Sequence, residues 1–193
     1  MDKSEKKELV VIGGSAGSFT VLLKVIKLLA ADFVIPVVIV IHRQRNVSSE
    51  FTRLLNQAFE NRTITEPDDK DAVNPSCIYI APQNYHLLIE TGHTFSLDYS
   101  EAIKFSRPSI DVTFESAARV YKNNLTAILL SGANNDGTAG LKSVVQNGGT
   151  VIAQEPETAE FPAMPRSAIA SVTGIRVLDP GKIADYLNSI NSK

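Results

Sequence analysis

The sequence predicts an α/β fold: a doubly wound, mainly parallel sheet with helices on both faces and an inserted β-hairpin. Three observations predict it. Short β-branched runs alternate with helical apolar spacing along most of the chain, the pattern of parallel βαβ units. The stretch VVIGGSAGSFTVLLKVIKLL, residues 10–29, passes from a strand through a glycine turn directly into an amphipathic helix. One segment, HLLIETGHTFSL at residues 86–97, instead alternates about Thr91-Gly92 and reads as a hairpin inserted in the sheet.

The elements follow in order. Strands are expected near residues 9–13, 37–41, 77–81, 125–130 and 150–153, where Val, Ile and Leu cluster. The first helix, about 19–30, carries Leu22, Leu23, Ile26, Leu29 and Ala30 at helical spacing and turns Lys24 and Lys27 outward. A second starts at Ser48 or Ser49, either a good N-cap, with Phe51, Leu54, Leu55 and Phe59 as its apolar stripe. The third opens at Arg107-Pro108-Ser109 with proline in its first turn, where the missing N–H is harmless. A fourth follows Asp136-Gly137 and stops at Asn147-Gly148-Gly149. A fifth, short one follows Met164-Pro165-Arg166, and a sixth closes the chain from about Lys182. No repeat or linker divides the chain, so one domain over residues 1–193 is expected.

Composition narrows the function. With 193 residues, 44% of them hydrophobic, the chain can bury a substantial core. A formal net charge of -2 offers no general attraction to phosphate backbones or anionic lipid, so nucleic acid is not the expected partner. The single cysteine, Cys77, allows neither an internal disulfide nor a cysteine-rich metal site. The longest apolar run, residues 33–41, is broken by Pro36 and falls far short of the roughly 20 residues of a membrane span, so no membrane insertion and a cytoplasmic location are expected.

In doubly wound sheets ligands sit beyond the carboxyl ends of the strands, at a switch in strand order. Three such ends carry polar side chains: Ser15 in Gly13-Gly14-Ser15-Ala16-Gly17, His42 after Ile41, and Asp136 in the turn that follows residues 125–130. A serine becomes a nucleophile when a base takes its proton; histidine suits that task, and a buried carboxylate fixes the useful tautomer. The amides of Ala16 to Ser18, at a helix start, could stabilise an oxyanion. The serine turn matches G-x-S-x-G, a nucleophile-elbow pattern, yet serine there also suits a plain helix cap or a phosphate loop. A dinucleotide site fits poorly: Ser15 and Ser18 stand where glycines are wanted, and the second strand ends in His42-Arg43 rather than a carboxylate. The chain order Ser, His, Asp differs from both the α/β-hydrolase and the subtilisin orders, so another scaffold is required.

Six blocks carry a resemblance. VVIGGSAGS, the strand ending in His42 with SSEFTRLL after it, YIAPQNYHLLIE, SRPSIDVTFESAA, LLSGANNDGTAGL and GGTVIAQEPETAEFPAMPRSAI stand in the order found in the catalytic domain of the CheB family of chemotaxis protein-glutamate methylesterases, which the chain resembles along nearly its whole length. The resemblance implies a serine hydrolase that demethylates glutamyl methyl esters on the cytoplasmic helices of chemoreceptors or a related signalling protein, with glutamine deamidation in some members. It implies Ser15 as nucleophile, His42 as general base and then acid, Asp136 as orienting carboxylate, backbone near Ala133 in the oxyanion hole, and no metal or organic cofactor. Arg43, Arg45 and Arg53 would suit Glu-rich substrate helices. The family usually has methionine and glycine at Ala133 and Asn134, and a receiver domain ahead of the catalytic one. Fewer than ten residues precede the first strand here, so a catalytic domain lacking the receiver is expected. The alternative reading is a catalytically weak or silent domain of this type that binds a signalling partner through the same cleft.

Overall fold

The computed structural model describes residues 7–42, 51–104 and 106–191. Its elements are β1 (Leu9–Gly14), α1 (Ser18–Leu28), β2 (Val37–Ile41), α2 (Phe51–Ala58), β3 (Thr63–Thr65), β4 (Cys77–Ile80), β5 (His86–Ile89), β6 (Phe95–Asp98), α3 (Ile110–Tyr121), β7 (Leu125–Leu129), α4 (Thr138–Gln146), β8 (Thr150–Gln154), α5 (Ala163–Ser171), β9 (Arg176–Leu178) and α6 (Pro180–Asn191). Seven strands form one sheet in the order β3-β4-β2-β1-β7-β8-β9, every pairing parallel. The chain starts in the middle and winds outward to both edges. Its strand order therefore switches between β1 and β7, which is where such sheets open a crevice.

Each face of the sheet has its own core. On one, Val10, Ile12, Ile39 and Ile128 pack with Leu22 and Ile26 of α1, Leu55 of α2, and Ile183 and Leu187 of α6. On the other, Val11, Val38, Ala127 and Leu129 pack with Ile110 and Phe114 of α3, Leu141 of α4, and Met164 and Ala168 of α5. Strands β1, β2 and β7 are buried along their whole length, which explains their unbroken apolar character: a central parallel strand has no solvent face.

Several expectations need correcting. The hairpin exists, β5 pairing antiparallel with β6, but it forms a separate two-stranded sheet and is not inserted in the parallel one. The central strands already have parallel neighbours on both sides, so the hairpin lays Leu87, Ile89 and Phe95 against the α3 face instead. Thr113 Oγ1 donates to the Leu87 carbonyl at 2.7 Å, and the Ile89 amide donates to Ser116 Oγ at 3.1 Å. Pro108 lies ahead of α3 rather than in its first turn, because Ser109 is the extended N-cap residue (φ −99°, ψ 134°). Leu54 is 44% exposed, leaving Leu55 as the buried anchor of short α2. Met164 and Pro165 fall within α5 rather than before it. The three-residue strands β3 and β9, at the two sheet edges, were not expected at all. Ser48 and Ser49, the cap candidates for α2, lie outside the described residues, as do Arg43 and Arg45.

Candidate active site

The crevice is built from the ends of β1, β2 and β7 and the start of α3. β1 ends in glycines because two helices pass close: a Cβ on Gly13 would collide with the Ile110 side chain of α3, and one on Gly14 would stand 2.7 Å from Ser18 Cβ of α1. Ser15 follows directly. Its amide donates to the Ser131 carbonyl at 2.9 Å, and its own carbonyl accepts from the Ser18 amide at 3.1 Å and from Ser18 Oγ at 2.6 Å. Gly17 has φ 73°, and a Cβ there would stand 2.7 Å from Glu160 Cβ and 2.8 Å from Ser131 Oγ. The left-handed turn thus places its obligatory glycine at position 17 and leaves position 15 free for a side chain. Ser131 ties the loop down from β7: its hydroxyl donates to the Ala16 carbonyl at 2.8 Å and accepts from the Phe161 amide at 3.0 Å.

His42 extends the β1–β2 ladder by one step. Register pairs Gly14 with Ile41, and the His42 amide donates to the Gly14 carbonyl at 3.2 Å. Ser15 and His42 therefore leave adjacent strands side by side, and neighbouring strands lie about 4.8 Å apart. The imidazole is largely covered, with 11% of the side chain exposed, and its Nε2 lies 2.8 Å from Asp136 Oδ2. A carboxylate only accepts, so in the neutral imidazole the proton sits on Nε2 and the lone pair on Nδ1. That nitrogen is 3.3 Å from Ser106 Oγ. Among the described residues no hydrogen bond joins Ser15 Oγ to the ring.

Asp136 is fully buried. Besides His42, Oδ2 accepts the Ile110 amide at 2.8 Å, while Oδ1 accepts Ser109 Oγ at 3.1 Å and the amides of Asp111 at 3.1 Å and Gly137 at 3.0 Å. A carboxylate contributed from the β7–α4 turn thus does the work of an N-cap for α3, and the helix end returns a favourable field. Burial pushes this carboxyl up, but the hydrogen bonds from His42, Ile110 and Asp111 outweigh it and hold the pKa at about 2. The group is an anion at neutral pH. Its neighbour Asp111 goes the other way: burial raises it above the ordinary carboxylate range against the pull of Lys104 Nζ, 2.7 Å away, and of the Gly140 amide.

The CheB methylesterase family model matches residues 10–187. The chain belongs to the CheB methylesterase family. It is 44% identical over 178 residues to a Leptospira interrogans (serovar copenhageni) protein provisionally given the double name protein-glutamate methylesterase/protein-glutamine glutaminase, the match spanning 92% of each. It is 36% identical over 183 residues to the Thermotoga maritima protein-glutamate methylesterase/protein-glutamine glutaminase, covering 93% of this chain and 53% of that one. The crystal structure of the Thermotoga maritima CheB methylesterase catalytic domain superposes with a TM-score of 0.87 at 34% identity, over 95% of this chain and 98% of that one. The chain thus spans about half the length of the Thermotoga relative and nearly all of its catalytic domain.

Of the three residues predicted from the strand ends, the fold brings His42 and Asp136 into contact and sets Ser15 just past the end of the neighbouring strand, β1. Three further residues at the site carry no sequence signal for a role there: Ser106, Ser109 and Ser131. Ser106 and Ser109 lie in the block SRPSIDVTFESAA, and nothing in its spacing says that a serine ahead of α3 reaches back to the end of β2. Arg107 from the same block has its Nη1 donating to the carbonyls of Tyr99 at 3.0 Å and Ser100 at 2.6 Å.

Proposed function

We propose that the chain is a protein-glutamate methylesterase in which Ser15, His42 and Asp136 act as nucleophile, base and orienting anion. Ser15 Oγ attacks the carbonyl carbon of a γ-glutamyl methyl ester as its proton passes to His42 Nδ1. The imidazolium is steadied by Asp136 through Nε2–H. The tetrahedral intermediate then expels methoxide, which takes the Nδ1 proton and leaves as methanol. Water, deprotonated by Nδ1 in turn, attacks the acyl-serine and releases the glutamate carboxylate and the free hydroxyl. With a glutamine substrate the leaving group is ammonia.

The observation that carries this reading is the 2.8 Å bond from His42 Nε2 to an anion buried under four further donors, one strand from Ser15. It supports the tautomer whose lone pair, on Nδ1, points away from Asp136 and can take a serine proton. Oxyanion stabilisation falls to the amides of Ala16 and Gly17 and the positive end of α1; the Ser18 amide is committed to the Ser15 carbonyl. Backbone near Ala133 is the second candidate donor. The partner is a methylated helix of a chemoreceptor or a related signalling protein, met in the cytoplasm.

Among the described residues no hydrogen bond is made by the Ser15 hydroxyl, which favours a second reading, a silent domain that binds a partner through this crevice. Methanol release from methyl-labelled receptor separates the two. Ser15→Ala should lower the rate by at least about 10³-fold, whereas equal release by both proteins removes the serine mechanism.

A further inference from the structure

Among the described residues, the hydroxyl that hydrogen-bonds the free nitrogen of the proposed base is not that of the proposed nucleophile. Ser106 Oγ lies 3.3 Å from His42 Nδ1. With Nε2–H given to Asp136, the imidazole keeps one in-plane lone pair, and that lone pair serves one good donor at a time. The hydroxyls of Ser106 and Ser15 are therefore rivals for the same site, and in this structure Ser106 holds it.

Described residues on both sides of Ser106 make further contacts. Ile103 and Ser106 exchange two backbone hydrogen bonds, from the Ile103 amide to the Ser106 carbonyl at 3.1 Å and from the Ser106 amide to the Ile103 carbonyl at 2.9 Å. Lys104 Nζ reaches Asp111 Oδ2 at 2.7 Å, and Asp111 in turn gives its amide to Asp136 Oδ1. The Arg107 guanidinium, 4.2 Å from the centre of the Tyr99 ring, fastens the other side of the loop through the Tyr99 and Ser100 carbonyls. Lys104 is thus linked through Asp111 to the orienting carboxylate, and Arg107 to the Tyr99–Ser100 backbone.

We propose that Ser106 is a positioning residue that occupies the His42 lone pair in the resting protein and so keeps Ser15 unactivated until a substrate is in place. The proposal rests on the assignment of His42 as the base for Ser15. Release needs only rotation of a serine side chain out of a long contact, so the latch is weak. Removing it should therefore raise the reactivity of Ser15 rather than lower it.

The test is the second-order rate at which a fluorophosphonate probe modifies the protein, with the modified serine identified by peptide mass spectrometry. Ser106→Ala should react with Ser15 roughly two- to tenfold faster than the wild type, the range a single neutral hydrogen bond covers. Ser106→Thr, which restores a hydroxyl, should return the rate toward the wild-type value. An unchanged or slower rate in Ser106→Ala overturns the latch, and an adduct on Ser106 in the wild type overturns it in favour of Ser106 as nucleophile. If wild type and Ser106→Ala both fail to react, the catalytic assignment has failed and the latch fails with it as a control on catalysis. The contact itself is read without any activity from the ¹⁵N resonance of His42 Nδ1 in the Ser15→Ala background. Adding Ser106→Ala should move that resonance toward the frequency of an unbonded pyridine-type nitrogen; an unmoved resonance overturns the contact.

Discussion

Replacing Asp136 by asparagine keeps the shape of the side chain and removes its charge, and the surroundings decide which way the amide turns. With NH₂ at the Oδ1 site, the amides of Asp111 and Gly137 each lose their acceptor. With NH₂ at the Oδ2 site, one backbone amide, that of Ile110, is orphaned, and the new donor faces His42 Nε2. A buried unsatisfied donor costs roughly 1–3 kcal/mol, so the second orientation wins by about one such penalty. It is also the orientation that harms catalysis, because His42 must then accept at Nε2, carry its proton on Nδ1, and give up the lone pair that Ser15 needs. Adding the lost anion at the start of α3, the expected destabilisation is roughly 2–4 kcal/mol. The expected loss of turnover is roughly 10³–10⁴-fold. Urea unfolding reads the first quantity, and methanol release from folded protein well below the urea transition reads the second. A variant that turns over within about threefold of the wild type while losing stability as stated would make Asp136 a helix cap with no part in tautomer control.

Other expectations are more local. The Asp136 carboxyl is held at about 2 against an ordinary 3.8, so its contribution is fully present above pH 3.8 and is lost as pH falls through about 2, an effect of about 2 kcal/mol. Asp111, raised by burial, works with the opposite sign, so the comparison to make is wild type against Asp136→Asn in urea titrations between pH 5 and 2. The difference in stability between them should shrink on acidification; a constant difference would count against the shifted carboxyl. Gly17→Ala forces a Cβ into a left-handed residue facing Glu160 and Ser131, and should cost about 1–3 kcal/mol in thermal unfolding while slowing the modification of Ser15. A neutral substitution there would show that the serine turn is looser than its packing implies.

Much of the fold was legible because the strongest signals were local. β1, β2, β4, β7 and β8 announce themselves as β-branched runs, α1 by its helical spacing and α4 by its glycine stop. The edge strands did not: Thr63–Thr65 and Arg176–Leu178 are three residues each, mostly unburied, too short for any alternation to register. The hairpin was legible in its own pairing, but where it docks depends on which sheet edges are already filled, a property of the whole topology. Candidate site residues divide in the same way. Ser15, His42 and Asp136 could be picked out because each follows a recognisable strand in a sheet whose ligand edge is known. Ser109 and Ser131 act through contacts across 27 and 115 residues of chain, and Ser106 across 64, with no motif to mark them. Pro108 misled for a related reason: a proline two residues ahead of Ile110 looks like a first-turn proline until a carboxylate from another turn is seen to set where the helix begins.

The most direct test of the central claim is to stop the reaction half-way. Rapid acid quenching during turnover of a γ-glutamyl methyl ester substrate, followed by peptide mass spectrometry, should find the glutamyl acyl group on Ser15, with accumulation abolished in Ser15→Ala. An acyl group on any other residue, or methanol release that persists in Ser15→Ala with no covalent intermediate, would contradict the account.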